Sequence, residues 1–387
     1  MTFPLVRLDE CSRIVSGATP STSKPEFWNG DIFWVTPADL SKLDGPLINS
    51  TPRKITRAGL DSCAAELLPP NSVLFSSRAP IGHVAINTVA MATNQGFKSF
   101  VPTPEKLDPR YLYHWLRSNR SYLESLGNGA TFKEVSKAVV SRIQVPLPPL
   151  REQRRIAAIL DEVDELRRKR QAALERLRHI PPAMLQDLIG ESALTQTLDK
   201  LVRHDDRINY GVLQPGSEVE QGIPLIRVEN VVNEDFSPSS LKHISPEIEA
   251  RYVRSRLRGD EILVACVGSI GAVALVYPDQ QGFNIARAVA RIPIDPVTAN
   301  RVFVAEYLKH PKAQAYFKSE TRAVAQPTLN IKQLSETRIP IPALSVQHGF
   351  AARVAHVDKL KGQYNAHLAK LDALFASLQH RAFRGEL

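Results

Sequence analysis

Cysteine is scarce: Cys11, Cys63 and Cys266 are the only three in 387 residues, and they stand far apart. That spacing offers neither a disulfide framework nor paired metal ligands, and it suits a reducing cytosol. Long apolar runs are lacking too. The longest, at residues 270–277, is far too short to cross a bilayer and reads as a buried strand. The first ten residues, MTFPLVRLDE, contain no apolar h-region, so no signal peptide, no membrane partner and a cytoplasmic location are expected.

Catalytic signatures are also missing. There is no G-x-x-x-x-G-K-[ST] loop, no G-x-G-x-x-G after a strand and no H-E-x-x-H. An Asn-Pro-Pro-aromatic or Asp-Pro-Pro-aromatic run, of the kind an amino-methylating enzyme uses at its target nitrogen, is absent as well. The carboxylates fall mainly on helices, where a charge run is usually a solvated face. These absences favour binding over catalysis, with no metal or cofactor held by the chain. What the chain does have is basic charge: 49 Lys and Arg against 40 Asp and Glu, a net +9, which favours nucleic acid as a partner.

The strongest pattern lies at residues 145–180, where a proline-rich segment is followed by a long charged stretch, and it returns at residues 339–378. Pro148, Pro149 and Pro342 mark helix starts. In the first copy Ile156, Ile159, Val163, Leu166, Arg170, Ala173, Leu177 and Ile180 are spaced by alternating threes and fours, a heptad seam. The second seam runs Phe350, Val354, Val357, Lys361, Tyr364, Leu368, Leu371, Phe375 and Leu378. At 1.5 Å per residue each seam is roughly 35 to 45 Å long. Arg170 and Lys361 interrupt them, as register-setting charges or as side chains that snorkel out. Pro181 and Pro182 predict a break in the first helix, ending at His179 and restarting near Ala183. The expected architecture is α+β. Two similar mixed α/β domains, residues 1–148 and 191–342, are joined by two long antiparallel coiled-coil helices, residues 149–190 and 343–387. The whole forms an internal pseudo-two-fold repeat.

The repeat extends beyond the helices. Pro146 and Pro148 are matched by Pro340 and Pro342, 194 positions on, and NSVLFSSRAPIGHVAI resembles GDEILVACVGSIGAVAL. Strands are expected near 32–35, 72–76 and 83–86, and a short helix at 109–117. Between them lie loops rich in groups that can read nucleic acid. Thr36 and Asp39 follow one strand, and Ser76, Ser77 and Arg78 precede a glycine turn. Asn94 and Gln95 precede Gly96 and Lys98, and Thr131 and Lys133 close the set. Arg pairs with guanine, and Asn or Gln with adenine, through bidentate hydrogen bonds. Each also has a plainer reading: Asn94-Gln95-Gly96 as a turn, Arg78 as a helix cap or a partner of Asp39. In the second half the matching candidates are Arg227, Asn230, Asn284, Arg287, Thr328, Asn330 and Lys332, with Arg254 and Arg256 as further cations. Here Asn284-Ile285-Ala286 is set against Asn94-Gln95-Gly96, and 328–332 against 131–135.

These features together resemble the specificity subunits of type I restriction–modification systems. The resemblance rests on SGATPSTSKPEFWNGDIFWVTPADL (16–40), SSRAPIGHVAI, NQGF, the paired VPLPPLREQ and IPIPALSVQ boundaries, and the terminal RAFRGEL. It covers essentially the whole chain. It implies two target-recognition domains, each reading half of a bipartite double-stranded DNA site, and helices that dock two modification subunits. Those methyltransferase partners carry S-adenosylmethionine and modify adenine. Restriction/translocase subunits carry ATP and Mg. The chain itself is then non-catalytic. The rival expectation is a coiled-coil assembly adaptor without DNA specificity of its own; a nuclease with an unrecognised site is a third.

Overall fold

The structure is a computed structural model that describes residues 3–78, 80–128, 133–190, 194–321 and 327–387. The chain forms two compact units, Met1–Ala173 with Tyr364–Leu387, and Leu174–Gln363. The long helices are Leu150–Leu188 and Leu344–Ala382, so each starts in one unit and ends in the other.

The first unit contains β1 (Leu5–Arg7), β2 (Ser12–Ser16), β3 (Trp28–Val35), β4 (Leu47–Ile48), β5 (Lys54–Ile55), β6 (Val73–Phe75), β7 (Val84–Asn87), β8 (Met91–Thr93), β9 (Lys98–Pro102) and β10 (Gln144–Pro146). They form a five-stranded sheet in the order β2-β9-β6-β7-β4, a three-stranded sheet β5-β3-β8 and a β1-β10 ladder. β6 is Val-Leu-Phe and buried on both faces, as a continuous apolar run requires. One face carries Val73 and Phe75 into a core with Tyr111, Leu112, Leu116, Ile156 and Leu160. The other carries Leu74 to Val35, Leu68 and Phe97.

The second unit repeats this plan. β11 (Thr195–Thr197), β12 (Asn209–Tyr210), β13 (Ile223–Ile226), β14 (Lys242–Ile244), β15 (Ile262–Ala265), β16 (Val273–Leu275), β17 (Asn284–Ile285), β18 (Val289–Ile292) and β19 (Arg338–Pro340) follow in order. The sheets are β12-β18-β15-β16 and β14-β13-β17, with a β11-β19 ladder. β3 lies parallel to β8 and antiparallel to β5; β13 lies parallel to β17 and antiparallel to β14. The pairing pattern, not merely the order of elements, is duplicated.

The second seam lies where its spacing puts it. Phe350, Val354, Val357 and Phe375 are buried, and the positions between them on that face are half-buried. The first seam is rotated by one residue at alternate positions. The inward set is Ile156, Leu160, Val163, Arg167, Arg170, Leu174 and Leu177, while Leu166 and Ile180 are exposed. In the first unit Arg167 donates to Asp372 Oδ1 at 2.6 Å and Arg170 lies over the Tyr364 ring at 4.1 Å, so the helix segments run antiparallel there. Arg170 thus stays in the seam through a cation–π contact. Lys361 turns to its own helix and donates to Asp358 at 3.0 Å. The expected break at Pro181 does not occur, and the helix continues to Leu188. Two prolines remove only two N–H donors, and burial of Pro181 in the seam offsets that loss.

A buried glutamine secures each helix start. Gln153 accepts from Asp108 N–H at 2.8 Å and donates to the carbonyls of Lys106 and Pro148, each at 2.8 Å. Gln347 accepts from Asn300 N–H at 2.9 Å and donates to Pro342 O at 2.8 Å. Both are fully buried. The substitution Gln153→Ala strands one backbone donor and two acceptors, each costing about 1–3 kcal/mol. We expect a total loss of roughly 3–9 kcal/mol in urea denaturation; a change below about 1 kcal/mol would mean that water replaces the amide.

Candidate nucleic-acid interface

The carboxyl ends of β3 and β8 lie side by side because the two strands are parallel. Asn94 N–H donates to Val35 O at 3.0 Å, so the residues that follow the strands are neighbours. The turn after β6 reaches the same place, with Ser77 N–H donating to Gly96 O at 2.8 Å. Gly17 closes the rear: a Cβ there would stand 1.9 Å from Asn94 O, so only glycine permits this approach. The loops enclose a hollow of about 410 Å³ lined by Thr36, Arg53, Arg78, Asn94, Gln95 and Gly96. A crevice at the carboxyl ends of parallel strands is where α/β sheets commonly hold ligands.

The candidate residues divide into those that face the hollow and those that build it. Gln95 is exposed and accepts from the Thr19 hydroxyl. Asn94 is half-buried, and its Oδ1 accepts Gly96 N–H at 2.9 Å, the plain turn role combined with a rim position for the rest of the side chain. Arg78 is half-buried and bridges Glu134 through the backbone; the adjacent Lys133 is exposed and does not line the hollow. Thr36 and Asp39 are committed elsewhere. They form a capping box on the helix Pro37–Leu40, with Asp39 Oδ2 accepting from Thr36 N–H at 2.7 Å and from its hydroxyl at 2.6 Å. Ser76 and Ser77 are buried, their hydroxyls donating to the carbonyls of Pro80 at 2.6 Å and Gly96 at 3.2 Å. Lys98 is buried against Glu134 at 3.1 Å. These five shape the loops instead of facing a ligand. Thr131 lies outside the described residues. Arg53 was missed by sequence reasoning. Only the pairing of β5 with β3 places it over the Trp34 ring, at 4.7 Å. Its sole sequence signal is the basic pair Arg53-Lys54.

In the second unit the strand register corrects the assignments. Ala286 N–H donates to Ile226 O and Cys266 N–H to Ala288 O, the bonds made by Asn94 and by Ser77 in the first unit. Ala286 therefore stands at the Asn94 position and Arg287 at that of Gln95. Asn284 falls two residues earlier, on the core side, and is fully buried. Its Oδ1 accepts from Ser255 at 2.7 Å, and its Nδ2 donates to Glu249 at 3.2 Å and Tyr252 O at 3.1 Å. It cannot read a base from there. Likewise Thr328 bridges Val267 as Glu134 bridges Arg78, so it matches Glu134 and not Thr131. Asn330 caps the helix Ile331–Ser335, and Lys332 lies on its exposed surface.

Arg227 takes the Thr36 position: its N–H donates to Oδ1 of the buried Asn230 at 2.9 Å, and the Asn230 amide donates to Ser240 O at 3.1 Å. Arg256 makes a fork to Glu249, 2.7 and 2.6 Å, and that hydrogen bonding holds the Glu249 carboxyl below the usual carboxylate range. It is a loop clamp. Arg254 is exposed and lines a second hollow, of about 390 Å³, with Asn209, Tyr210 and Arg251. The outward-facing candidates of this unit are thus Arg227, Arg254, Arg287 and Lys332.

A family model described as the type I restriction modification DNA specificity domain matches residues 2–176 and again 214–370. The EcoBI type I restriction enzyme specificity subunit of Escherichia coli is 31% identical over 316 residues, 73% of this chain and 66% of that protein. The MjaIX specificity subunit of Methanocaldococcus jannaschii is 33% identical over 176 residues, 44% of this chain and 40% of that one. These matches span two-thirds of the relatives' own length or less. The S subunit of a type I restriction–modification system from M. genitalium shares the fold. It has a TM-score of 0.61 at 17% identity, over 99% of this chain and 96% of that one.

Proposed function

The chain belongs to the type I restriction–modification DNA specificity family, and from that premise we propose that it selects the DNA sequence on which a restriction–modification complex acts. Each unit reads one half of a bipartite duplex target. The chain supplies recognition and not chemistry. Two modification subunits dock along the long helices and methylate adenine from S-adenosylmethionine; restriction subunits with ATP and Mg translocate and cut.

One observation carries this reading. The same loop frame occurs twice, at the same strand register, with different side chains facing out. Asn94, Gln95 and Arg78 in the first unit stand where Ala286, Arg287 and Val267 stand in the second. A duplicated frame with exchanged readers is what two half-sites of different sequence require. Gln95 and Asn94 suit adenine, whereas Arg78, Arg227 and Arg287 suit guanine or phosphate. The net +9 charge supports affinity through phosphates.

The test is adenine-methylation mapping in cells that express the modification subunit with and without this chain. A bipartite methylated motif is expected only when the chain is present. A stable assembly that leaves methylation unchanged would point to the adaptor role instead.

A further inference from the structure

A second hollow in the first unit, about 450 Å³, lies beside the recognition loops and is walled by the first long helix. Four arginines line it, Arg117, Arg120, Arg167 and Arg168, against two carboxylates, Asp44 and Asp164. Asp164 is 4% exposed and gathers three of the cations. It accepts from Arg117 at 3.1 Å and from Arg167 at 2.9 Å, and Arg168 Nε stands 3.7 Å away. Arg120 is held by Glu124 at 2.8 Å, and Arg167 also by Asp372, from outside the rim. One buried carboxylate thus gathers guanidinium groups around an open space; Glu124 and Asp372 balance the remaining charge from outside, so the cationic excess is confined to the lining. Arg168 Nε is buried without a hydrogen-bond partner. Two glycines with positive φ let the arginines close in. A Cβ on Gly45 would stand 3.0 Å from Arg168 Nη1, and one on Gly82 would stand 2.7 Å from Arg120 Cγ.

We propose that this pocket is a phosphate site and that it takes a backbone phosphodiester of the duplex read by the neighbouring loops. Converging guanidinium donors match phosphate oxygens in geometry and charge. The position favours DNA as the source. The helix Pro37–Leu40 starts at the recognition hollow with Thr36 and ends at this one with Leu40, and the turn carrying Arg78 continues to Gly82 and His83. The repeat supports the same chemistry. Helix starts at Asp108 and Asn300, and at Gln153 and Gln347, align Arg117 with Lys309, Arg120 with Lys312, Arg167 with Lys361 and Asp164 with Asp358. The outward readers were exchanged between the units, but three of the four cations were kept; Arg168 stands opposite Gly362. A backbone phosphate is the ligand common to both half-sites.

The inference rests on the DNA-recognition reading. Its test uses the assembled complex with the double variant Arg120→Gln, Arg168→Gln, which leaves both hydrogen bonds to Asp164 intact. Duplex affinity should fall about tenfold at fixed salt, and the slope of log affinity against log salt should shrink by roughly one for each phosphate left without its guanidinium. The methylated motif should not change. Unchanged affinity and slope would overturn the proposal, as would a shifted motif. So would a defect confined to assembly with the modification subunit, which would mark an acidic protein surface as the occupant. Titration of the DNA-free chain with inorganic phosphate separates the sources: binding abolished in the variant, with duplex affinity unaffected, means a free anion and not the backbone. A wild-type complex that binds no duplex rejects the proposed function, while the phosphate titration still decides the pocket.

Discussion

Replacing residues 191–342 with the corresponding segment of a relative of different specificity is expected to change one half of the methylated target and leave the other half intact. Each unit has its own core and its own copy of the loop frame. The cuts fall outside the long helices, so the seam is untouched. The anchor that meets the grafted segment is Gln347, which holds the N–H of Asn300 and the carbonyl of Pro342. Both are backbone groups that a foreign segment also supplies. Each base pair that no longer matches costs about 1–3 kcal/mol, so two together shift preference by roughly 30-fold or more. Methylation mapping reads the outcome. A motif altered in both halves, or in neither, would contradict the assignment of one half-site to each unit.

The substitution Arg291→Met should unfold the second unit first. Arg291 is 2% exposed, on the central β18. It donates to Glu261 at 3.1 Å and to Arg256 O at 3.0 Å, and pairs with Asp206. Glu261 is itself fully buried and accepts the N–H groups of Arg258 and Gly259 at 2.7 and 3.0 Å. Removing the cation leaves the buried Glu261 without a counter-charge and Asp206 with Arg258 alone, at 3.5 Å, a loss of about 3–5 kcal/mol. Calorimetry should show an early transition that the wild type lacks; a single unshifted transition would sink the idea. Burial opposes ionisation of Asp206, but the hydrogen bonds from Arg291 and from Arg207 N–H, with the charges of Arg291 and Arg258, together outweigh it and hold the carboxyl below its ordinary value of 3.8. The stability contributed by a depressed carboxylate is complete above the unfolded value and is lost as pH falls through the lower folded one. The wild type should therefore lose this contribution only below about pH 4, and the variant should show a flatter acid limb there.

Much of this was legible in the chain. The strands expected near 32–35, 72–76 and 83–86 appear as Trp28–Val35, Val73–Phe75 and Val84–Asn87, and the short helix as Pro109–Ser118. The second helix seam was legible throughout, because the spacing that joins Phe350, Val354, Val357 and Phe375 prevails over neighbours such as Leu374, which stays exposed. The first seam was not. Ile159 competes with Leu160, Leu166 with Arg167 and Ala173 with Leu174. Apolar periodicity prefers Leu166 to Arg167, yet the structure turns Arg167 inward, where Asp164 and Asp372 hold its charge and the Phe375 ring covers its guanidinium at 4.6 Å. Those partners lie on another turn and another helix, beyond the reach of a local pattern.

The same division separates readers from builders. Asn284 looks like Asn94 in sequence, and TLNIK looks like TFKEV, because resemblance is judged along one strand at a time. Register is set between strands: the pairing of Ile226 with Ile285, matching that of Val35 with Thr93, moves Asn284 into the core and brings Arg287 to the rim. Sequence alone determined the duplication, the two long helices, the paired proline boundaries and the loops that carry polar groups, because these follow from periodicity and backbone preference. Tertiary structure alone decided which face of the first helix is buried, which polar side chains cap their own loops and which face outward. Those choices depend on partners that the chain brings near only when the sheets pair and the helices pack.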